Sequence, residues 1–302
     1  MILIGENIHV ISKLVREALV NRDENFVKRL VQIQSDMDYA DLNVGPAKGE
    51  MEGILPWLCQ IVTKESNLNI SFDTTNIVEM EKGLKSFSGK TFINSTSKDE
   101  PKLSKLIDMA LEFDSNLIAL TMSKETGIPK YSDGRLEIAF EIYEKCTEKC
   151  LSNQKLFFDP LVLPVCADQS QGIEALNTIK MIKESFEPPV KTVIGLSNIS
   201  NGAEKRELLN RTFAAMAFGA GLDAAIIDAK DSELVRIFKM LENNNPQFER
   251  DNIYLQLANM MRDFREIDDI DFDKNSHEQT DIIKAARILL NREIYSHSFT
   301  QI

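Results

Sequence analysis

Short apolar runs alternate with longer amphipathic segments along the first 230 residues of the chain. The runs are rich in Ile, Val, Leu and Phe and are bounded by polar or turn residues, which is typical of buried strands. The segments between them carry apolar residues three and four positions apart, as in helices that bury one face. The pattern predicts eight strands, at 2–4, 39–44, 69–73, 91–94, 117–121, 156–159, 192–196 and 224–228.

Eight strands that alternate with helices predict one closed barrel. Such connections require crossovers and therefore a parallel sheet, and eight units are the number that forms a (β/α)8 barrel. An open doubly wound sheet is the alternative, but the chain contains no G-x-G-x-x-G or G-x-x-x-x-G-K-[ST] phosphate turn. We therefore expect a single domain over residues 1–302. Residues 243–276, with a strongly acidic stretch at 263–273, resemble a helical surface insertion in the last βα unit.

Composition and charge exclude several classes of partner. The chain has 302 residues, of which 43% are hydrophobic and 27% charged, as in ordinary globular proteins. Its net charge of −12 disfavours nucleic acid, because the protein's own field would repel phosphates. No apolar run approaches the ~20 residues that cross a bilayer, and the opening residues do not form an export signal. We expect a cytoplasmic protein without a membrane or nucleic-acid partner.

Polar residues stand at the carboxyl ends of seven of the eight predicted strands. This edge carries the chemistry in (β/α)8 barrels. Each residue alone could cap the following helix, but an unpaired polar ring in a barrel mouth is costly unless a ligand or water satisfies it. The recurrence therefore favours a binding site. The ring comprises Glu6, Asn7, Asn43, Asp73, Asn76, Asn94, Asp159, Ser197, Asn198 and Asp228.

The residue types in this ring restrict the chemistry. The chain has three histidines, His9, His277 and His297, too few near the strand ends for a His-rich metal centre or a Ser-His-Asp triad. No lysine stands at a strand end to form a Schiff base. Carboxylates and amides suit a flat polar heterocycle, because they accept and donate adjacent hydrogen bonds. We expect no bound metal, although magnesium held by carboxylates is the alternative.

The segments that end the strands resemble those of the pterin-binding methyltransferases, which act on methyltetrahydrofolate and a corrinoid protein in the acetyl-CoA pathway and in O-demethylase systems. The resemblance covers residues 1–230 in ordered blocks. These are IGENI (4–8), DLNVGPA (41–47), FDTTN (72–76), INSTS (93–97), LTMSKETGIP (120–129), FDPLVLP (158–164), IGLSNIS (194–200), LLNRTFAAMA (208–217) and GLDAAIIDA (221–229).

The resemblance implies a pterin-binding TIM barrel and assigns roles to its residues. Asp73, Asn94 and Asp159 match positions that hydrogen-bond the aminopyrimidinone and pyrazine edges of the pterin. Asn198 matches the amide at N5, the nitrogen that carries the methyl group. Asn201 stands where relatives have a Gln. The implied catalytic residues are Asn198, Asp73 and Asp159, and the implied substrate-binding residues are Asp73, Asn94, Asp159, Gly195, Ser197, Asn198, Asn201 and Arg206.

The implied activity moves a methyl group between N5 of tetrahydrofolate and the cobalt of a corrinoid protein. Asn198 does not titrate, so it orients or stabilises N5 while water and carboxylates supply the proton. The chain lacks the D-x-H-x-x-G cobalamin pattern, so we expect cobalamin to arrive on a separate protein. Lys48, Lys205 or Arg206 is expected to meet the anionic glutamate tail of the folate. The resemblance also implies a homodimer.

Two alternatives stay open at this point. Dihydropteroate synthases share the barrel and the pterin-binding carboxylates. They carry a Ser-Arg-Lys-like segment after strand seven, whereas this chain has Gly-Leu-Ser-Asn at 195–198, which favours methyl transfer. The other alternative is a non-catalytic pterin-binding barrel that uses the acidic insertion as a docking surface.

Overall fold

A computed structural model describes residues 1–300 and confirms the predicted barrel. Eight parallel strands close in sequence order, with the last strand paired to the first. The strands begin close to the predicted positions, and the first extends five residues further than predicted. They are β1 (Ile2–His9), β2 (Tyr39–Gly45), β3 (Asn69–Thr74), β4 (Thr91–Thr96), β5 (Asn116–Leu120), β6 (Leu156–Asp159), β7 (Lys191–Gly195) and β8 (Ala224–Ile227).

Helices follow every strand and cover the outside of the barrel. Two lie between β1 and β2, single helices fill the next six connections, and three follow β8. The helices are α1 (Lys13–Val20), α2 (Glu24–Ile33), α3 (Ile54–Glu65), α4 (Ile77–Lys85), α5 (Lys102–Glu112), α6 (Ser132–Glu148), α7 (Ser170–Ser185), α8 (Arg206–Ala220), α9 (Ser232–Asn243), α10 (Glu249–Asp263) and α11 (His277–Leu289). No helix within residues 1–300 combines the length and apolar character needed to span a membrane.

The interior of the barrel changes from apolar to polar toward the carboxyl ends of the strands. Successive strand residues face opposite sides, so every second residue points inward. A buried apolar layer fills the lower half, where Phe92 makes edge-to-face contacts with Tyr39 and Phe157 at 4.8 Å between ring centroids. Two residues further along β4 and β6, the side chains are Asn94 and Asp159. The apolar layer comprises Ile4, Tyr39, Phe92, Ile118, Phe157, Val193 and Ala224.

The segment at 243–276 is only partly the surface insertion that the sequence suggested. Helix α10 packs closely on α8, since a Cβ at Gly219 would lie 2.0 Å from the backbone oxygen of Ala258. Ile253 and Leu257 of α10 are buried. The sequence predicted that this segment is helical, but the packing partner of α10 could not be read from it. The acidic stretch at 263–273 is largely exposed, as expected of a surface connector.

Candidate active site

A cavity of about 930 Å³ opens at the carboxyl ends of the strands. Its size is within the range of small-molecule sites. All eight residues to which the family resemblance assigned substrate binding line this one cavity, together with further members of the polar ring. The lining includes Glu6, Asp41, Asn43, Asp73, Asn94, Asp159, Gly195, Ser197, Asn198, Asn201, Arg206 and Asp228.

A network of carboxylates and amides joins β2, β3 and β4 on one side of the cavity. Asn43 donates to Asp73 at 2.5 Å, and Asn94 donates to Asp41 at 3.2 Å. Burial raises the pKa of Asp73 to about 6. Burial, with the neighbouring charge of Asp73, raises the pKa of Asp41 well above its usual range. The negative charge of Asp73 therefore disfavours the ionisation of the neighbouring Asp41.

The carboxylate of Asp159 lies at the end of β6, where the following backbone turns. The Leu161 N–H donates to Asp159 Oδ1 at 2.7 Å. Burial raises the pKa of Asp159 to about 6. Beneath this turn, the fully buried Arg135 donates at 3.0 Å to the carbonyl oxygens of both Pro129 and Pro160. Arg135 therefore fixes the backbone that positions Asp159.

The amide of Asn198 is held by a chain of polar side chains after β7. Arg206 Nη2 donates to Asn201 Oδ1 at 2.9 Å, and Asn201 Nδ2 donates to Asn198 Oδ1 at 3.2 Å. Because the oxygen of Asn198 is engaged in this way, its Nδ2 group is the one left to donate to a ligand. That group lies over Gly195, where an added Cβ would meet it at 2.8 Å.

The carboxyl group of Glu6 faces the same cavity from the end of β1. It accepts a hydrogen bond from Ser197 Oγ at 2.6 Å, which links β1 to the segment after β7. Burial raises the pKa of Glu6 to about 7, and the negative charges of Asp228 and Asp41 act in the same direction. Glu6 therefore exchanges a proton near neutral pH, inside the cavity.

Some residues of the predicted ring have structural roles outside the cavity. Asn76 caps α4, accepting from the N–H groups of Val78 and Glu79. Asn7 donates to Asp228, which holds the latter side chain. Lys48 lies outside the lining of the cavity. Within residues 1–300, no group of three or more His, Cys, Asp or Glu side chains is arranged to hold a metal ion.

Sequence reasoning missed two residues that shape the site. Asp41 precedes the strand-end residue Asn43 by two positions, and the alternation of β2 could have placed both on the inner face. Arg135 lies on α6, and nothing in the sequence of that helix indicates that this charged side chain is completely buried beneath the turn after β6.

Comparison with known proteins shows the family of the chain. Residues 38–228 match the model of the family described as pterin binding enzyme. This match covers more than half of the chain, which therefore belongs to the pterin binding enzymes. The family and the barrel agree with the resemblance found in the sequence.

Two curated proteins are similar to the chain over most of its length. The chain is 25% identical over 240 residues to the methylcorrinoid:tetrahydrofolate methyltransferase of Eubacterium limosum, covering 78% of this chain and 88% of that protein. It is 27% identical over 273 residues to the methionine synthase of Mycobacterium tuberculosis (strain ATCC 25618 / H37Rv). The second match covers 85% of this chain and 22% of the methionine synthase, so the chain spans about a fifth of that protein.

Similar solved structures share the fold. A dihydropteroate synthase of Clostridium difficile, solved in the presence of pteroic acid, superposes with a TM-score of 0.57 at 15% identity, covering 80% of this chain and 96% of that one. A dihydropteroate synthase of Coxiella burnetii in complex with pteroic acid gives 0.58 at 13% identity, with 87% and 93% covered. At these identities the likeness shows the fold alone.

Proposed function

We propose that this protein transfers a methyl group between N5 of tetrahydrofolate and the cobalt of a corrinoid carried by a partner protein. The observation that carries the proposal is the lining of one cavity by Asp73, Asp159 and Asn198. Similarity to the methyltransferase of Eubacterium limosum supports this chemistry. The reaction can run in either direction in one site, because the same groups serve both.

The pterin ring is held by the carboxylates and amides of the cavity. Asp73 and Asp159 accept hydrogen bonds from ring N–H groups, and Asn94 contributes an amide that donates and accepts. A charged acceptor in a desolvated site gives a stronger hydrogen bond than a neutral one. Gly195, Ser197 and Arg206 close the opposite side, where the missing side chain at Gly195 leaves room for the ring and for the Asn198 amide.

Asn198 acts on N5, the nitrogen at which the bond breaks. When the methyl group moves to cobalt(I), the cobalt supplies the bonding electron pair and becomes methylcobalt(III), while the C–N pair stays on N5, which takes up a proton. The Nδ2 group of Asn198 donates toward N5 and stabilises the charge that develops there. Asn201 fixes the amide in the required orientation through its hydrogen bond to Asn198 Oδ1.

The proton for N5 comes from Glu6, either directly or through water. With a pKa of about 7, Glu6 has comparable populations of its two protonation states near neutrality. The hydrogen bond from Ser197 holds it beside the segment that carries Asn198. A general acid matched to the working pH transfers protons most effectively.

Incubation with methyltetrahydrofolate and cob(I)alamin tests this function. The visible spectrum should show methylcobalamin forming at a rate proportional to the protein concentration. An absence of methylcobalamin in both this reaction and its reverse would overturn the proposal. Formation of pteroate from a pterin pyrophosphate and p-aminobenzoate would instead indicate a dihydropteroate synthase.

The corrinoid is expected on a separate protein that binds transiently at the barrel mouth. Ile11 supports this expectation, because it lines the rim of the cavity and its side chain is 80% exposed. A homodimer belongs to the same proposal and follows from the resemblance alone, whereas a cytoplasmic location is the expectation drawn from the sequence.

A further inference from the structure

The turn between β7 and α8, residues 196–205, carries Asn198 and has little support of its own. Within it, the Asn201 N–H donates to the carbonyl oxygen of Asn198 at 3.2 Å. Lys205, just before α8, has a left-handed φ of 53°, and within residues 1–300 its side chain makes no hydrogen bond that caps the helix. Uncapped N–H groups at a helix start need other partners. Contacts from other parts of the chain are therefore needed to fix the turn.

The loop after β6 holds the first half of this turn. The Val165 N–H donates to the carbonyl oxygen of Ile199 at 3.0 Å, and the Cys166 thiol donates to that of Asn201 at 2.9 Å. Both donors lie in the connection that follows Asp159. The two segments that carry Asp159 and Asn198 are therefore joined directly.

The second half of the turn is held by the segment after α11, residues 291–299. The Tyr295 hydroxyl accepts a hydrogen bond from the Glu204 N–H at 2.9 Å, and it lies 3.3 Å from His297 Nδ1. The Tyr295 ring is half-buried and packs against the buried Phe299, with 5.8 Å between ring centroids. Since Glu204 lies two residues before the first residue of α8, the hydroxyl fixes the backbone where the chain enters that helix.

The side chain of Gln169 joins these two supports. It lies at the N-terminal end of α7, in the same connection that holds the first half of the turn. Its Oε1 accepts from the Tyr295 N–H at 2.6 Å, while its Nε2 donates to Asn291 Oδ1 at 3.2 Å and to the carbonyl oxygen of Glu293. One amide therefore sets the position of Tyr295, and the loop after β6, the turn after β7 and the 291–299 segment contact one another in a closed set.

We infer that Tyr295 is a positioning residue for the Asn198 amide. The turn that Tyr295 holds contains Asn201, which donates to Asn198 Oδ1, and it leads into Arg206, which donates to Asn201 Oδ1. Loss of the Tyr295 hydrogen bond lets this turn shift, and the Asn198 amide then moves with it away from N5. The inference rests on the proposed function, because N5 is the atom on which Asn198 acts there.

Tyr295→Phe tests the inference, because it removes the hydroxyl and keeps the packed ring. The kcat of methyl transfer to cob(I)alamin should fall about three- to tenfold, the range expected for one lost hydrogen bond. The Kd of methyltetrahydrofolate should change less than about twofold. Gln169→Ala, which releases the 291–299 segment from the loop after β6, should lower kcat similarly.

Tyr131→Phe is the matched control, because it makes the same chemical change at a tyrosine that plays no part in these contacts. Tyr131 is 61% exposed immediately before α6 and lies outside the lining of the candidate active site. This variant should keep the kcat of the unmodified protein.

The Asn198→Ala background separates positioning from a general structural role. If Tyr295 acts only through the Asn198 amide, Tyr295→Phe should cost nothing further in that background. A further fall in kcat there would overturn the inference, and so would an unchanged kcat in Tyr295→Phe alone.

The NMR signal of the Asn198 side-chain amide provides a readout that does not require turnover. This signal, assigned by its absence in Asn198→Ala, should shift in Tyr295→Phe and stay in place in Tyr131→Phe. An unchanged signal in Tyr295→Phe would overturn the inference even in an active enzyme. If the unmodified protein forms no methylcobalamin in either direction and the signal still shifts, the proposed function fails while the positioning of Asn198 by Tyr295 stands.

Discussion

The contact between Gly195 and Asn198 gives the sharpest test of how the site works. An alanine Cβ at position 195 would lie 2.8 Å from Asn198 Nδ2, whereas ordinary contacts begin at 3.4 Å. The amide must therefore move by about 0.6 Å or more. Because the displaced atom is the end of a side chain and φ at Gly195 is −78°, alanine fits the backbone there and the free energy of unfolding should change little.

The expected loss is catalytic. A misplacement of ~1 Å at a reacting group costs up to ~100-fold in rate, so Gly195→Ala should lower kcat of methyl transfer to cob(I)alamin by about tenfold. The Kd of methyltetrahydrofolate should change less than about threefold. Asn198→Ala, which removes the donor altogether, should lower kcat by ~10²–10³.

The double variant decides whether Gly195 acts through Asn198. If the only effect of Gly195→Ala is to displace the amide, adding it to Asn198→Ala should cost nothing further. Stopped-flow measurement of methylcobalamin formation provides all four rates of the cycle. A double variant about tenfold slower than Asn198→Ala would refute this reasoning, because alanine would then be obstructing the ligand itself.

Three other substitutions test separate parts of the site. Methyl transfer from methyltetrahydrofolate should slow as the pH rises through about 7, because protonated Glu6 is the acid; Glu6→Gln should be about 100-fold slower and lose this pH dependence, and an unchanged pH profile would exclude Glu6. The raised pKa of Asp159, from 3.8 to about 6, means that its ionisation destabilises the folded protein progressively above pH 4 and fully above pH 6. Asp159→Asn should therefore raise the free energy of unfolding at pH 7 by about 1–3 kcal/mol in chemical denaturation while weakening pterin binding, and lower stability would contradict this account. Ile11→Asp should slow the reaction with a protein-bound corrinoid at least about tenfold and leave the rate with free cob(I)alamin unchanged, whereas equal effects on both would argue against a docking role.

Much of the fold could be predicted because each strand is a short apolar run in a regular repeat. The carboxyl ends of all eight strands meet at one edge of a barrel. The residues at those ends were therefore enough to predict that Asp73, Asp159 and Asn198 lie in one site. The short helices α1 and α4, of eight and nine residues, give too few turns for a clear periodicity.

The parts of the site that the sequence did not reveal depend on contacts between distant segments. Asn76 looks like a site residue in the sequence, but its oxygen is used by the backbone of α4. Arg135 is far along the chain from the β6 turn that it supports, and no local pattern marks that contact. The pKa of Glu6, on the first strand, depends on burial and on the charge of Asp228, which follows the last strand.

The apolar layer around Phe92 closes the barrel below the cavity, so the cavity opens only at the carboxyl ends of the strands. Both reactants of the proposed reaction must pass through that opening, and the folate occupies the deeper position. The folate must then arrive before the partner protein covers the rim, and it can leave only after the partner departs. The steady-state kinetics should accordingly follow a compulsory order, with the folate as the first substrate to bind.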